Sequence, residues 1–134
     1  LLADDDADHV AGVIDFGDML YAPLSADVAI ACSYLRVATG DPLALMAELI
    51  AGYHAVTPLE KAEIDILFEL IQARLTASIT ILAWRSTLRG DDDPYLARLE
   101  TGENSAGHFL LRLREIPRAH ALQVFRQVRA SVCD

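Results

Sequence analysis

Between Leu59 and Arg89 the chain contains neither proline nor glycine, a stretch of about thirty residues opened by Thr57-Pro58-Leu59-Glu60 and closed by Gly90. Thr57 with Glu60 three residues later has the form of a capping box, and Pro58 suits the first helical position, where a missing N–H costs nothing. An unbroken helix of this length spans roughly 45 Å, longer than a small domain is wide, so the other elements have to be arranged along it. Residues 64–71 have amphipathic spacing, with Glu63, Asp65 and Glu69 outward. Residues 73–84 are apolar nearly all round and are expected to be buried or to face a pocket.

The flanking segments punctuate as helices too. Pro23 and Ser25 open a helix over 24–38, apolar on most faces, which Thr39-Gly40 ends. Asp41-Pro42, as N-cap and first helical residue, start the next helix at 43–54, with Leu45, Met46, Leu49, Ile50 and Tyr53 as its stripe. A short helical piece is expected over 93–100, then a helix over 104–116 with Phe109, Leu110 and Leu113 inward. Pro117 restarts a last helix to about Val132, with Arg118, Arg126 and Arg129 on its solvated side. The first residues are different: Leu1-Leu2, a polar turn, then Val10 to Asp15 read as a short β-hairpin and the one sheet expected. The expectation is therefore a mainly α chain forming one domain, 1–134, with a hairpin at 1–18 and a helical subdomain at 24–134. Leu1-Leu2 reads as the end of a strand with no beginning, so truncation at the N-terminus is expected as well.

Composition narrows the function classes. The 134 residues are 53% apolar and 23% charged, which excludes disorder, and the apolar runs look too broken to span a bilayer, so no membrane partner is expected. The formal net charge is −9 and the eleven basic residues are scattered, without a basic stripe, so nucleic acid is not an expected partner. Cys32 lies in an apolar run and reads as a small buried hydrophobe, and the lack of a disulfide-like spacing points to the cytoplasm. The four histidines include no i, i+4 pair of the kind that binds zinc. Asp4, Asp6, Asp8 and Asp15 superficially match a calcium loop, but His9 stands where that loop needs glycine. There is no P-loop, no G-x-S-x-G elbow, and a D-x-x-D where a haloacid-type phosphatase has D-x-D.

The stretch Val13-Ile14-Asp15-Phe16-Gly17-Asp18 carries the chemistry. Two apolar residues deliver Asp15 to a strand end beside a glycine that permits a sharp turn. Asp15 and Asp18 could share a metal if both face one cleft, or Asp18 could merely cap the turn. Residues 12–18, with Pro23 and Asp27-Val28-Ala29, resemble the metal-binding segment of the aminoglycoside phosphotransferase and choline kinase group, and within it the hydroxylysine kinase-like branch. The resemblance implies the C-terminal helical lobe of a protein-kinase-like fold. It implies transfer of the γ-phosphoryl group of ATP or GTP to a hydroxyl of a small amine or amino acid, with Mg2+ held by Asp15 and with Asp27 bracing the catalytic loop. The family's base aspartate and metal-binding asparagine precede such a segment and have no counterpart here. They are expected upstream of Leu1, and the chain alone is expected to be inactive.

Arg74 and Arg85 are eleven residues apart, three turns plus about 20°, so they share one stripe of the long helix with Ser78 beside it. Guanidinium groups in an apolar half-helix need anions. Internal pairing with Asp18 or Asp27 and contact with a substrate carboxylate both satisfy that need. The competing class is a non-enzymatic helical module or relic that binds a partner protein or self-associates. An H-G-D followed by asparagine in the reading frame upstream of Leu1 discriminates in favour of the kinase.

Overall fold

The structure is a computed structural model that describes residues 2–3, 6–14, 16–89 and 105–131. The long proline- and glycine-free stretch is a single helix, α3 (Lys61–Arg89), preceded by α1 (Leu24–Tyr34) and α2 (Ala44–Val56) and followed by α4 (Ala106–Arg114) and α5 (Arg118–Ser131). Before them, β1 (Leu2–Ala3) pairs antiparallel with β2 (Asp6–Val10), and Phe16–Asp18 form one 3-10 turn. The second strand thus covers Asp6–Val10, where a polar turn was expected, and residues 11–14 are irregular. The short helix expected over 93–100 lies outside the described residues.

α3 is anchored by its first half. Ile64, Leu67, Phe68, Ile71 and Leu75, spaced to share one side of the helix, are all buried. Against them lie Val28, Ala29 and Cys32 of α1, Phe109 and Leu113 of α4, and Phe125 of α5, while Met46 and Ile50 carry α2 into the same core. Each such side chain contributes about 1.5–3 kcal/mol on burial, so this cluster decides the fold. α1, α4 and α5 all pack on α3, and α2 sits between α1 and α5.

Of the two expectations for residues 73–84, burial fails and the pocket holds in part: Ile81 and Trp84 are 43% and 60% exposed, as is Leu88 beyond them at 66%, while Arg74, Ser78, Ile81 and Leu82 line a cavity. The helix persists there because nothing breaks it, and its hydroxyls are satisfied on its own backbone. Thr76 donates to the Gln72 carbonyl (2.8 Å), Thr80 to Thr76 (2.9 Å) and Thr87 to Trp84 (2.7 Å). Those internal bonds leave few polar atoms outward, and the helix is long and apolar enough to cross a membrane by length and composition, contrary to the reading of its runs as too broken. Of its most apolar stretch, 22% is buried in the protein.

Helix ends also move, for identifiable reasons. α1 stops four residues early in local turns, with the Leu35 N–H on the Cys32 carbonyl (3.0 Å) and the Arg36 N–H on that of Tyr34 (2.9 Å), and beyond it Arg112 of α4 donates to the carbonyl of Val37 and to that of Gly40 (2.6 Å). Gly40 itself has φ +81°, a left-handed conformation natural to glycine. Asp41 is not the N-cap expected of it: α2 begins at Ala44 with Leu43 as its N-cap and no side-chain cap, and the Asp41 carboxylate accepts from the Leu43 N–H at 2.9 Å in the turn ahead of it. Buried Leu43 leads into the stripe of Met46, Ile50 and His54. The expected box at Thr57 forms one turn later: the Glu60 N–H donates to the Glu63 carboxylate at 2.9 Å. The buried His54 takes the preceding donor, its Nδ1 accepting from the Leu59 N–H at 2.8 Å, which ties the end of α2 to the start of α3.

Arg118 and Arg126 are exposed but not merely solvated. Arg118 pairs with Glu69, and Arg126 with Asp65 at 2.6 Å, so α5 is latched onto α3 by charge as well as by Phe125. Hydrogen bonds from Arg126 and Lys61 hold the Asp65 carboxyl well below the usual carboxylate range.

Candidate functional site

The segment before α1 carries the acidic motif. Val13, Ile14, Phe16, Met19, Leu20 and Tyr21 are all exposed, so an apolar surface surrounds it. Asp15 lies outside the described residues. Asp18 closes the 3-10 turn, in which the Met19 N–H reaches the Phe16 carbonyl at 3.3 Å, and its side chain is likewise outside the described part. Among the described residues no three His, Cys, Asp or Glu side chains converge on a metal site.

Asp27 sits in the first turn of α1, a favourable place for a negative charge, and is exposed. It makes no hydrogen bond or ion pair with a described residue. Its charge acts on α2: the Tyr53 phenol is pushed up by burial first, then by Asp27 and Glu63. Cys32, on the opposite side of the same helix, is buried, and desolvation pushes its thiol up to about 12. That makes it core packing, not a nucleophile.

Arg74, Ser78 and Arg85 do come together, lining one cavity of about 280 Å³ between the end of α1, the middle of α3 and the start of α4. Ser78 contributes less than its position suggested, because its hydroxyl donates to the Arg74 carbonyl at 3.0 Å. Neither arginine is paired with Asp27, and Arg85 makes no ion pair among the described residues. Arg74 meets Tyr34 instead, its Nη2 lying 3.5 Å from the phenolic oxygen, while its Nε is buried without an acceptor.

Two lining residues were not legible in the sequence: Tyr34 and Arg36. In a helix running to residue 38 they would stand about 200° apart. The helix ends at Tyr34, and Arg36 folds back, with its Nε donating to the Ser33 carbonyl at 3.0 Å and its guanidinium 5.7 Å over the Tyr34 ring. The cavity can therefore offer three guanidinium groups and a phenol to an anion, with no acidic side chain among its described lining.

Comparison with known proteins points to one family. Residues 1–64 match the phosphotransferase enzyme family. The hydroxylysine kinase of Mus musculus is 32% identical over 88 residues, covering 66% of this chain and 23% of the relative. That of Bos taurus is 31% identical over 88 residues, with the same coverage, and that of Danio rerio 28% over 87 residues, covering 65% of this chain and 24% of the relative. The chain thus spans about a quarter of the length of these relatives. No solved structure gives a significant match.

Proposed function

We propose, from the membership of residues 1–64 in the phosphotransferase enzyme family, that the chain is the C-terminal lobe of a small-molecule kinase. The reaction is transfer of a nucleotide γ-phosphoryl group to the hydroxyl of a small hydroxylated amine or amino acid, the class to which hydroxylysine belongs. The family match over the acidic motif carries this reading; the helical architecture, with that motif at its N-terminal edge, supports it.

The donor chemistry of the motif fits a hard divalent cation. Asp15 and Asp18 offer carboxylate oxygens on either side of Phe16-Gly17, with no sulfur or imidazole between them. On this reading Asp15 holds Mg2+ and Asp18 assists it. The ion supplies charge neutralisation for the phosphates of ATP or GTP when bound. Asp27, exposed at the head of α1, is then free to brace a catalytic loop by accepting backbone N–H bonds, and Arg74 and Arg85 orient the acceptor.

The exposed apolar residues around the motif favour one alternative, a helical module that uses this surface to bind a partner protein. A transfer assay separates the two. The native protein containing this chain, given Mg2+ and γ-labelled ATP or GTP with a panel of hydroxylated amines and amino acids, is expected to label at least one acceptor. No labelled acceptor with either nucleotide contradicts the kinase reading.

A further inference from the structure

The arginine cavity has two ends. Eleven residues of helix separate Arg74 from Arg85, a rise of about 16 Å, so the two guanidinium groups are poorly placed to grip one small anion together. The crowded end is at Arg74, where α1 contributes Tyr34 and Arg36. Arg74 presents there the edge formed by Nε and Nη2, the pair of parallel donors that matches a carboxylate bidentately. Nε on that edge is buried and has no acceptor, and Nη2 has a phenolic oxygen at 3.5 Å, too long for a good hydrogen bond. A buried unsatisfied donor beside a poorly satisfied one marks a place where an acceptor belongs.

We propose that this corner, Tyr34, Arg36 and Arg74, is a carboxylate-binding site, and that the acceptor is therefore a hydroxylated amino acid, not a simple amino alcohol. The assignment of the acceptor rests on the kinase reading; the binding site does not. Nε is sealed from solvent with the side chains as they stand, so the carboxylate accepts from Nη2 of Arg74 and, once the Tyr34 side chain shifts aside, from Nε in parallel. Tyr34, whose ring is largely exposed, is free to shift its hydroxyl and donate to the same group. Arg36, stacked on that ring, adds the second positive charge while its own Nε stays on the Ser33 carbonyl. Arg85 stands at the far end of the cavity, away from the carboxylate.

Calorimetric titration of the native protein without nucleotide tests the site, using hydroxylysine, its decarboxylated diamine and inorganic phosphate as probes. Hydroxylysine is expected to bind about tenfold or more tighter than the diamine. Arg74→Met and Arg74→Lys should each remove that advantage, because lysine keeps the charge and loses the paired edge, and Arg36→Met should reduce it about threefold or more. Equal affinity for hydroxylysine and the diamine, displacement of hydroxylysine by equimolar phosphate, or no detectable binding of any probe overturns the proposal. So does a large fall in melting temperature for Arg74→Met with hydroxylysine binding intact, which assigns Arg74 to an internal acid. Carboxylate preference without phosphoryl transfer refutes the kinase reading alone; transfer to the diamine as efficient as to hydroxylysine refutes the site alone.

Discussion

Single residues in this chain are defined by what they can no longer reach. Cys32 is sealed against α3, and its thiol, pushed up to about 12 by burial, stays neutral at any ordinary pH. Because the folded value lies above the unfolded value of 9.0, the fold gains from this group fully below that pH and loses the gain as pH rises toward about 12. In a Cys133→Ser background, iodoacetamide at pH about 8 is expected to label native Cys32 on the order of 100-fold more slowly than the urea-unfolded chain; equal rates contradict its burial. Sequence foretold this residue well, because an apolar neighbourhood on a short helix leaves a cysteine little else to be. It did not foretell Arg112. Nothing local shows that an arginine on α4 takes the carbonyls of Val37 and Gly40, just past the end of α1.

Among the elements, α3 holds both the best and the worst of what the sequence conveyed. Its existence and length follow from the missing prolines and glycines, since a long uninterrupted run of good helix formers has no other regular outcome. Its burial does not follow, because apolar composition says that a face wants cover without saying what supplies it. The structure covers the first half and leaves Ile81, Trp84 and Leu88 open. Ile71→Ala is accordingly expected to cost about 2–5 kcal/mol, from lost burial and a cavity, and Ile81→Ala about 0.5 kcal/mol or less, as at other surface sites. Urea denaturation of both variants checks this. Similar losses would mean that the second half of α3 is packed in the native protein against residues outside those described.

At the scale of the molecule, among the described residues four helices gather along α3 as a spine, with the turn that follows Asp15 ahead of α1 and the arginine cavity between α1, α3 and α4. The acidic motif is visible in the sequence by residue type and spacing alone, and its Asp15 lies outside the described residues. The cavity was half legible: Arg74, Ser78 and Arg85 share a helix face by arithmetic, whereas Tyr34 and Arg36 join them because α1 ends at Tyr34, earlier than its residue pattern suggests. The whole account turns on Asp15. In the native protein, Asp15→Asn removes a charged oxygen donor while changing little volume, so Mg2+-dependent γ-phosphoryl transfer to a hydroxylated acceptor should fall about 100-fold or more with an unchanged circular dichroism spectrum. A variant that keeps a rate within about threefold of the unsubstituted protein would contradict the metal-binding role, and with it the reading of this chain as part of a kinase.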